Sequence, residues 1–186
     1  MRIVGGSLRG RRLASPKNDA IRPTSDRARE SLFNVLEHGY PGSLEGARVL
    51  DLFSGSGALG IEALSRGAAY CLFVEEVAAA RALVRENIES LGLQGRTRIF
   101  RRDATHLGPV GTMQPFDLVF ADPPYGAGLA EKAIASALAG GWLTDDALIV
   151  VEEAAATPFR PPQGIAVEEV RAYSSSTLSF CRLARV

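Results

Sequence analysis

The stretch that decides the fold reads Asp51-Leu52-Phe53-Ser54-Gly55-Ser56-Gly57-Ala58-Leu59-Gly60. An apolar, strand-like run leads into it, and a helical pattern begins at Ala58. Glycines at such a turn let the backbone approach a ligand where side chains would collide. Gly55, Gly57 and Gly60 also match the nucleotide-binding fingerprint, and Glu75 follows at the end of a second strand-like run. The stretch therefore predicts a strand–loop–helix unit that binds a cofactor, with Glu75 holding its ribose hydroxyls.

Two cofactors contain such a ribose, a nicotinamide dinucleotide and S-adenosylmethionine. Asp51 favours the second, since a carboxylate at the mouth of the loop repels pyrophosphate and attracts the ammonium group of a methionine moiety. A dehydrogenase also needs a substrate domain, for which a chain of 186 residues leaves too little room. The sequence therefore predicts S-adenosylmethionine, bound by Asp51, Phe53, Gly55, Gly57 and Glu75.

A third polar position follows the next strand-like run along the chain. Asp103 and Ala104 stand just after it, at the edge where the carboxyl ends of parallel strands meet the ligand. We predict that they contact the adenine of the cofactor. Asp103 is equally suited to capping a short helix, and the sequence leaves both roles open.

Beyond the glycine stretch, strand-like and helical patterns alternate. The strand-like runs lie at 48–53, 70–74, 97–100, 116–121 and 148–151, and the helical patterns lie at 58–66, 77–91 and 129–139. This alternation predicts an α/β fold with a mostly parallel, doubly wound sheet. Two further strands between residues 167 and 182, joined by Ser174-Ser175-Ser176, predict a closing hairpin.

The first 46 residues form a separate region in this interpretation. Gly5-Gly6 predicts a tight hairpin turn, and a helix with an apolar face follows, capped by Thr24 or Ser25. We therefore divide the chain into an N-terminal hairpin-and-helix extension, 1–46, and a cofactor-binding domain, 47–186.

Charge is unevenly distributed along the chain. The net charge is zero, yet residues 1–30 contain eight basic and three acidic side chains, so that this segment carries +5 and the remainder −5. A basic segment on an acidic body suits phosphate binding, although a merely solvated N-terminus has the same composition. The candidate phosphate contacts in this region are Arg9, Arg11, Arg12, Arg22 and Arg27.

The fourth strand-like run ends in Asp122-Pro123-Pro124-Tyr125. Two prolines fix the backbone and remove two donors, which leaves a stiff turn rich in acceptors. An exocyclic base amine is a poor nucleophile because its lone pair is delocalised into the ring. Accepting its two hydrogens on the Asp122 carboxylate and the Pro123 carbonyl would orient that lone pair toward a methyl donor. Tyr125 would provide a ring on which the base stacks.

These motifs together resemble the RsmD family, methyltransferases that modify guanine N2 in small-subunit (16S) ribosomal RNA. The resemblance covers nearly the whole chain and rests on the following stretches: Arg2-Ile3-Val4-Gly5-Gly6, Arg9-Gly10-Arg11, residues 22–34 beginning Arg22-Pro23-Thr24-Ser25-Asp26, residues 55–66 and Asp122-Pro123-Pro124-Tyr125. Val77, where many relatives carry an acid, and Ser174, where a glycine is usual, depart from the family pattern.

The resemblance implies a Rossmann-like, seven-stranded class I methyltransferase fold with one antiparallel strand. It also implies cofactor contacts at Asp51, Gly55, Gly57, Glu75 and Asp103, with Asp122 at the target amine. We expect a cytoplasmic monomer, without a membrane segment, that acts on ribosomal RNA within the assembling small subunit. Two alternatives stay open: another amine target such as adenine N6, and a non-catalytic RNA-binding assembly factor.

Few other residues suggest chemistry. His38 and His106 have no Cys or His at metal-ligand spacing, so no metal site is predicted. Cys71 and Cys181 lie in apolar runs and are expected to be buried free thiols. Trp142 is interpreted as a core residue.

Overall fold

The strands of the protein follow the apolar runs of its sequence. A computed structural model describes residues 1–17 and 24–186. Its strands are β1 (Arg48–Leu52), β2 (Tyr70–Val74), β3 (Thr97–Phe100), β4 (Phe116–Ala121), β5 (Leu143–Ala154), β6 (Ile165–Ala172) and β7 (Ser176–Leu183). The helices are α1 (Asp26–Gly39), α2 (Ala58–Ser65), α3 (Ala78–Leu91) and α4 (Leu129–Ala139). Short 3-10 helices lie at Gln94–Arg96 and Ala104–His106.

All seven strands form one sheet in the order β3-β2-β1-β4-β5-β7-β6. The first five pair in parallel, and β7 is antiparallel to both β5 and β6. From β1 the chain builds outward to β3 and then crosses to β4, so the strand order reverses between β1 and β4. Ligands of doubly wound sheets bind at such a switch point, beyond the carboxyl ends of the strands.

Helices cover both faces of the sheet, which explains why its central strands are apolar on both sides. Because successive strand residues point to opposite faces, Val49 packs with α1, α2 and α3, whereas Leu50 and Leu52 pack with α4. The arm (residues 1–17) and α1 contribute Ile3 and Phe33 to the first of these cores. The N-terminal extension therefore shares a hydrophobic core with the cofactor-binding domain.

The N-terminal hairpin differs from the prediction. Its two sides are not joined by a tight turn at Gly5-Gly6, because Arg2 pairs with Arg12 across a wider loop. The backbone N–H groups of Val4 and Gly5 instead donate to the buried carboxylate of Glu62 on α2, at 3.1 and 2.9 Å. Glu62 thus binds the backbone donors at this point and anchors the arm to α2.

The end of the chain follows the predicted pattern, with one extension. Strands β6 and β7 form the closing hairpin, while β5 is longer than the run 148–151 and begins at Leu143. Trp142, directly before β5, is fully buried and donates from its ring N–H to the carbonyl of Gly108 at 2.7 Å. The prediction that Trp142 is a core residue is confirmed.

Candidate active site

Three predicted carboxylates come together at the carboxyl edge of the parallel strands. Leu52 at the end of β1 is in register with Val74 of β2 and Ala121 of β4, so Glu75 and Asp122 leave the sheet on either side of the glycine loop. Asp51 is buried on β1. Burial raises the pKa of the Asp51 carboxyl well above its ordinary value, and the negative charges of Asp122 and Glu75 raise this pKa as well. A hydrogen bond from the backbone of Gly60 acts in the opposite direction and lowers it.

Asp51 also holds the start of α2 in place. Its Oδ2 accepts the backbone N–H of Gly60 at 3.1 Å, which links β1 to the helix across the loop. A buried carboxylate between two other acidic groups is stabilised by a positively charged ligand. The site at this edge of the sheet is therefore suited to a cation rather than to a phosphate.

The two glycines of the loop have different surroundings. Both have positive φ angles, 58° at Gly55 and 83° at Gly57. A Cβ atom on Gly55 would meet nothing within 4 Å, whereas one on Gly57 would lie 3.2 Å from the Phe73 ring and 3.4 Å from Val84. Gly55 faces open space, and Gly57 is required for packing of the loop on the core. A side chain at residue 57 would therefore meet core residues, while the predicted contact of Gly57 with the cofactor stays a prediction.

Phe53, at the start of the loop, is a non-glycine residue with a positive φ angle of 56°. This conformation is costly for a residue with a bulky side chain. The strain lies at the turn where the chain leaves β1 for the candidate cofactor site, and backbone strain of this kind concentrates at functional sites.

Glu75 connects the two loops that border the cleft. Its Oε2 accepts the N–H of Gly55 at 2.8 Å, and its Oε1 accepts the N–H of Val77 at 3.0 Å. Each carboxylate oxygen has a second lone pair, so both remain able to accept a further donor such as a ribose hydroxyl. Glu75 therefore orders the glycine loop and can also bind a ligand.

Asp103 has the capping role that the sequence left open. Its Oδ1 accepts the backbone N–H of Thr105 at 2.8 Å and the Thr105 hydroxyl at 2.7 Å. These bonds, chiefly the Thr105 hydroxyl, lower the pKa of Asp103. Ala104 is buried and its side chain packs in the core beside α4. The cap uses Oδ1 of Asp103, and the side chain of Ala104 is buried. The contact of these two residues with adenine stays a prediction.

Asp122 lies at the carboxyl end of β4 in a half-buried position. Its Oδ2 accepts the Thr24 hydroxyl at 3.2 Å. The pKa of Asp122 is raised from 3.8 to about 7, chiefly because the carboxyl is buried. The negative charges of Glu152 and, to a smaller extent, Glu153 also raise this pKa, whereas the hydrogen bond from Thr24 lowers it. Asp122 therefore changes its charge near neutral pH.

The turn after Asp122 is fixed from β5. The Tyr125 hydroxyl donates to Oε1 of Glu152 at 2.7 Å, while the ring stays exposed. The buried carboxylate of Glu153 accepts the N–H of Gly126 at 3.2 Å. Pro123 is buried. Sequence reasoning missed Thr24, Glu152 and Glu153 as parts of this site, although two adjacent acids ending an apolar strand next to the proline turn were a usable signal.

The basic candidates occupy two surfaces. Arg9, Arg11 and Arg12 are exposed on the arm, where Arg11 donates from Nη2 to the carbonyl of Ser90 on α3 at 3.0 Å. Arg27 is exposed on α1 and lines a groove there. Arg22 lies outside the described residues.

The arm also reaches the glycine loop. Asn87 of α3 exchanges hydrogen bonds with the backbone of Ala14 and donates from Nδ2 to the carbonyl of Ser56 at 2.9 Å. The basic arm thus lies beside the loop that borders the candidate cofactor site.

Residues 1–17 and 24–186 contain neither a metal-binding cluster nor a membrane-spanning helix. There, His, Cys, Asp and Glu form no group of three or more with metal-binding geometry. Of the helices in the described part of the chain, none combines the length and the apolar character needed to cross a membrane. Cys71 and Cys181 are free and buried, as expected from the sequence.

Comparison with known proteins places this geometry in a class. The solved structure of the Escherichia coli protein yhhF, named as a candidate methyltransferase, superposes with a TM-score of 0.83 at 34% identity, covering 98% of this chain and 97% of that one. The fold and site therefore define a class I methyltransferase. The chain belongs to the RsmD family, whose model, described as conserved hypothetical protein 95, matches residues 1–182.

Curated relatives are similar over most of their length. Ribosomal RNA small subunit methyltransferase D of Escherichia coli is 43% identical over 153 residues, 82% of this chain and 74% of the relative. The protein of the same name from Haemophilus influenzae is 35% identical over 165 residues, 88% of this chain and 83% of the relative. The resemblance predicted from the motifs is confirmed.

Proposed function

We propose that this protein transfers a methyl group from S-adenosylmethionine to the exocyclic N2 amine of a guanine in small-subunit ribosomal RNA. The observation that carries the proposal is the position of Asp122, which follows β4 at the switch point beside the Gly55 loop and Glu75. Relatives named ribosomal RNA small subunit methyltransferase D support the choice of substrate.

The cleft fits the proposed methyl donor. S-adenosylmethionine carries a positively charged ammonium group, a positively charged sulfonium and a ribose, and bound here it would supply an electrophilic methyl group. The charges of Glu75 and Asp122 both act on the buried carboxylate of Asp51, and such a group of acids attracts cations and repels a pyrophosphate. Gly55 leaves open space for a ligand. Asp51 would hold the ammonium group and Glu75 the ribose, with Phe53, Asp103 and Ala104 bordering the rest.

Asp122 would act on the target amine. An ionised carboxylate accepts a hydrogen of the amine and orients its lone pair, and the Pro123 carbonyl would accept the other hydrogen. When the new carbon–nitrogen bond forms, the amine nitrogen becomes positively charged and must lose a proton. A carboxylate with a pKa of about 7 is matched to accept that proton at neutral pH.

Tyr125 would support the base. Its exposed ring offers a stacking surface, and the bond from its hydroxyl to Glu152 restricts the ring's movement. Arg9, Arg11, Arg12, Arg22 and Arg27 would contact phosphates, which position an RNA without reading its sequence. Selection of one guanine would then depend on RNA shape, and we propose the assembling small subunit in the cytoplasm as the substrate of a monomeric enzyme.

The test measures transfer of labelled methyl groups to small subunits purified from cells that lack this gene, followed by nucleoside mass analysis. N2-methylguanosine should form with the wild type and fall by roughly two orders of magnitude with Asp122→Ala, the scale for loss of one preorganised contact. Calorimetry on Asp122→Ala should show only a modest fall in S-adenosylmethionine affinity. Methylation at adenine N6, or wild-type turnover by Asp122→Ala, would overturn the proposal.

A further inference from the structure

A residue of the N-terminal extension reaches the candidate catalytic carboxylate. Thr24, just before α1, donates its hydroxyl to Oδ2 of Asp122 across 98 positions of sequence. Among the groups in the described ranges 1–17 and 24–186, the others that act on Asp122 are acidic: Glu152 and Glu153 from β5, and Asp51 from β1. Each of these raises the pKa of Asp122 or interacts with it repulsively, whereas the Thr24 hydroxyl stabilises the ionised form.

The backbone of Thr24 is held by a buried arginine. Arg29 of α1 is fully buried and donates from Nη1 to the Thr24 carbonyl at 2.9 Å. Its Nη2 contacts the Arg2 carbonyl and binds Oδ1 of Asp26 at 2.8 Å. The Nε atom lies 3.9 Å from Oε2 of the equally buried Glu62 on α2.

The adjacent residue is fixed as well. The Ser25 hydroxyl accepts the N–H of Ala28 at 3.1 Å and caps α1. Thr24 therefore projects from a point that is secured both by the helix cap and by the guanidinium of Arg29. A hydroxyl presented from such a rigid point orients its acceptor with little loss of entropy.

We propose that Thr24 is a positioning residue for methyl transfer, holding the Asp122 carboxylate in the orientation that accepts a hydrogen of the target amine. This inference rests on the proposed function. It gives the N-terminal extension a part in the chemistry as well as in RNA binding. It agrees with the packing of Ile3 and of Leu32 and Phe33 on α1 in the same core as Val49 of the sheet.

The experiment compares Thr24→Val, which keeps the shape but removes the hydroxyl, with Thr24→Ser, which restores a hydroxyl. Small subunits from cells lacking the gene serve as acceptor, with labelled S-adenosylmethionine. Thr24→Val should lower kcat by about tenfold or more at pH 7, the scale for a hydrogen bond to a charged group, and KM should change little. Thr24→Ser should recover most of the loss.

The pH profile separates positioning from a structural role. Without the hydroxyl the pKa of Asp122 rises further, so the acid limb of the kcat profile should move to higher pH and the deficit should narrow in alkaline solution. Ser65→Ala is the control, since it removes the hydrogen bonds of Ser65 with the backbone of Gly5 and Leu8 on the arm and lowers thermal stability without touching Thr24 or moving that limb. A profile unchanged in Thr24→Val, or shifted equally in Ser65→Ala, would refute the positioning role.

A double-mutant cycle with Asp122→Asn completes the test. If Thr24 acts through Asp122, adding Thr24→Val to Asp122→Asn should cost much less than the tenfold seen in the wild-type background. Additive losses would overturn the inference while leaving the proposed function intact. Absence of methyl transfer by the wild type would instead refute the proposed function.

Discussion

The Glu75 carboxylate accepts the backbone N–H of Gly55 at 2.8 Å and so ties the end of β2 to the glycine loop after β1. Its second oxygen accepts the N–H of Val77. Glu75 therefore shapes the cleft before any ligand binds. In the proposed enzyme the same carboxylate meets the ribose, which means that ligand binding and loop order depend on one side chain.

Glu75→Gln should weaken S-adenosylmethionine binding by at least about tenfold. Glutamine has one acceptor oxygen, so its NH₂ group would face the N–H of Gly55 or of Val77 and leave a donor unsatisfied. Calorimetric titration measures the effect. Glu76→Gln removes the same charge from the adjacent, exposed residue and should leave the affinity within about twofold. Equal affinities of wild type and Glu75→Gln would contradict both roles of this carboxylate.

Substitutions at the two loop glycines should have separable effects. Gly55→Ala places a methyl group in open space at a positive φ angle, costing roughly 1–2 kcal/mol of stability, and should reduce cofactor affinity. Gly57→Val forces a branched side chain against Phe73 and Val84 at φ 83°. It should lower the midpoint of thermal unfolding much more than Gly55→Ala does. Thermal unfolding scans measure the stability of both variants, and calorimetry measures their cofactor affinity. A lower unfolding midpoint for Gly55→Ala than for Gly57→Val would contradict this packing of the loop.

The fold could be predicted from sequence because its determinants are local. The runs that became β2, β3 and β4 and helix α4 were identified with their observed bounds, since apolar periodicity and flanking glycines suffice for buried strands and amphipathic helices. The prediction of a tight turn at Gly5-Gly6 was wrong because the buried carboxylate of Glu62, which is far away in sequence, binds the backbone there.

The site was predictable in part for the same reason. Asp51 lies one residue before the end of β1, and Glu75 and Asp122 directly follow β2 and β4. Strand order alone brings these three positions to one edge. The Thr24 contact with Asp122 depends on where α1 packs, which no local pattern encodes. The sequence also did not indicate that a side chain at residue 55 would face open space while one at residue 57 would face the core. Both glycines lie in one short motif, and only the backbone geometry distinguishes them.

Replacing Asp122 should stabilise the protein in alkaline solution. The folded-state pKa of Asp122 is raised from 3.8 to about 7, so unfolding releases a proton between these values and the wild type loses stability as pH rises through this window. Below pH 3.8 the carboxyl is protonated in both states and the effect is absent. Asp122→Asn avoids the loss, and its unfolding midpoint at pH 8 should exceed that of the wild type by about 2 °C or more. Equal midpoints at pH 8, or a gain of the same size at pH 4, would contradict the raised pKa.

The last prediction concerns how the basic arm contributes to RNA binding. Arg9 and Arg12 are exposed, whereas the guanidinium of Arg11 already donates to the Ser90 carbonyl on α3. Exposed guanidinium groups can each displace a counterion from an RNA phosphate, and each such contact contributes roughly 0.7–0.9 to the slope of log affinity against log salt.

The double variant Arg9→Ala/Arg12→Ala should therefore flatten that slope by about 1.5 in titrations of 16S ribosomal RNA over a series of KCl concentrations. Arg11→Ala should change it less, because its side chain is engaged in anchoring the arm, and should instead lower thermal stability slightly. Lys132→Ala is the control, since Lys132 is exposed on α4, across the sheet from the helices that hold the arm. S-adenosylmethionine affinity should stay constant in all three variants. A slope unchanged in the double variant, or reduced equally by Lys132→Ala, would exclude the arm as the phosphate-binding surface.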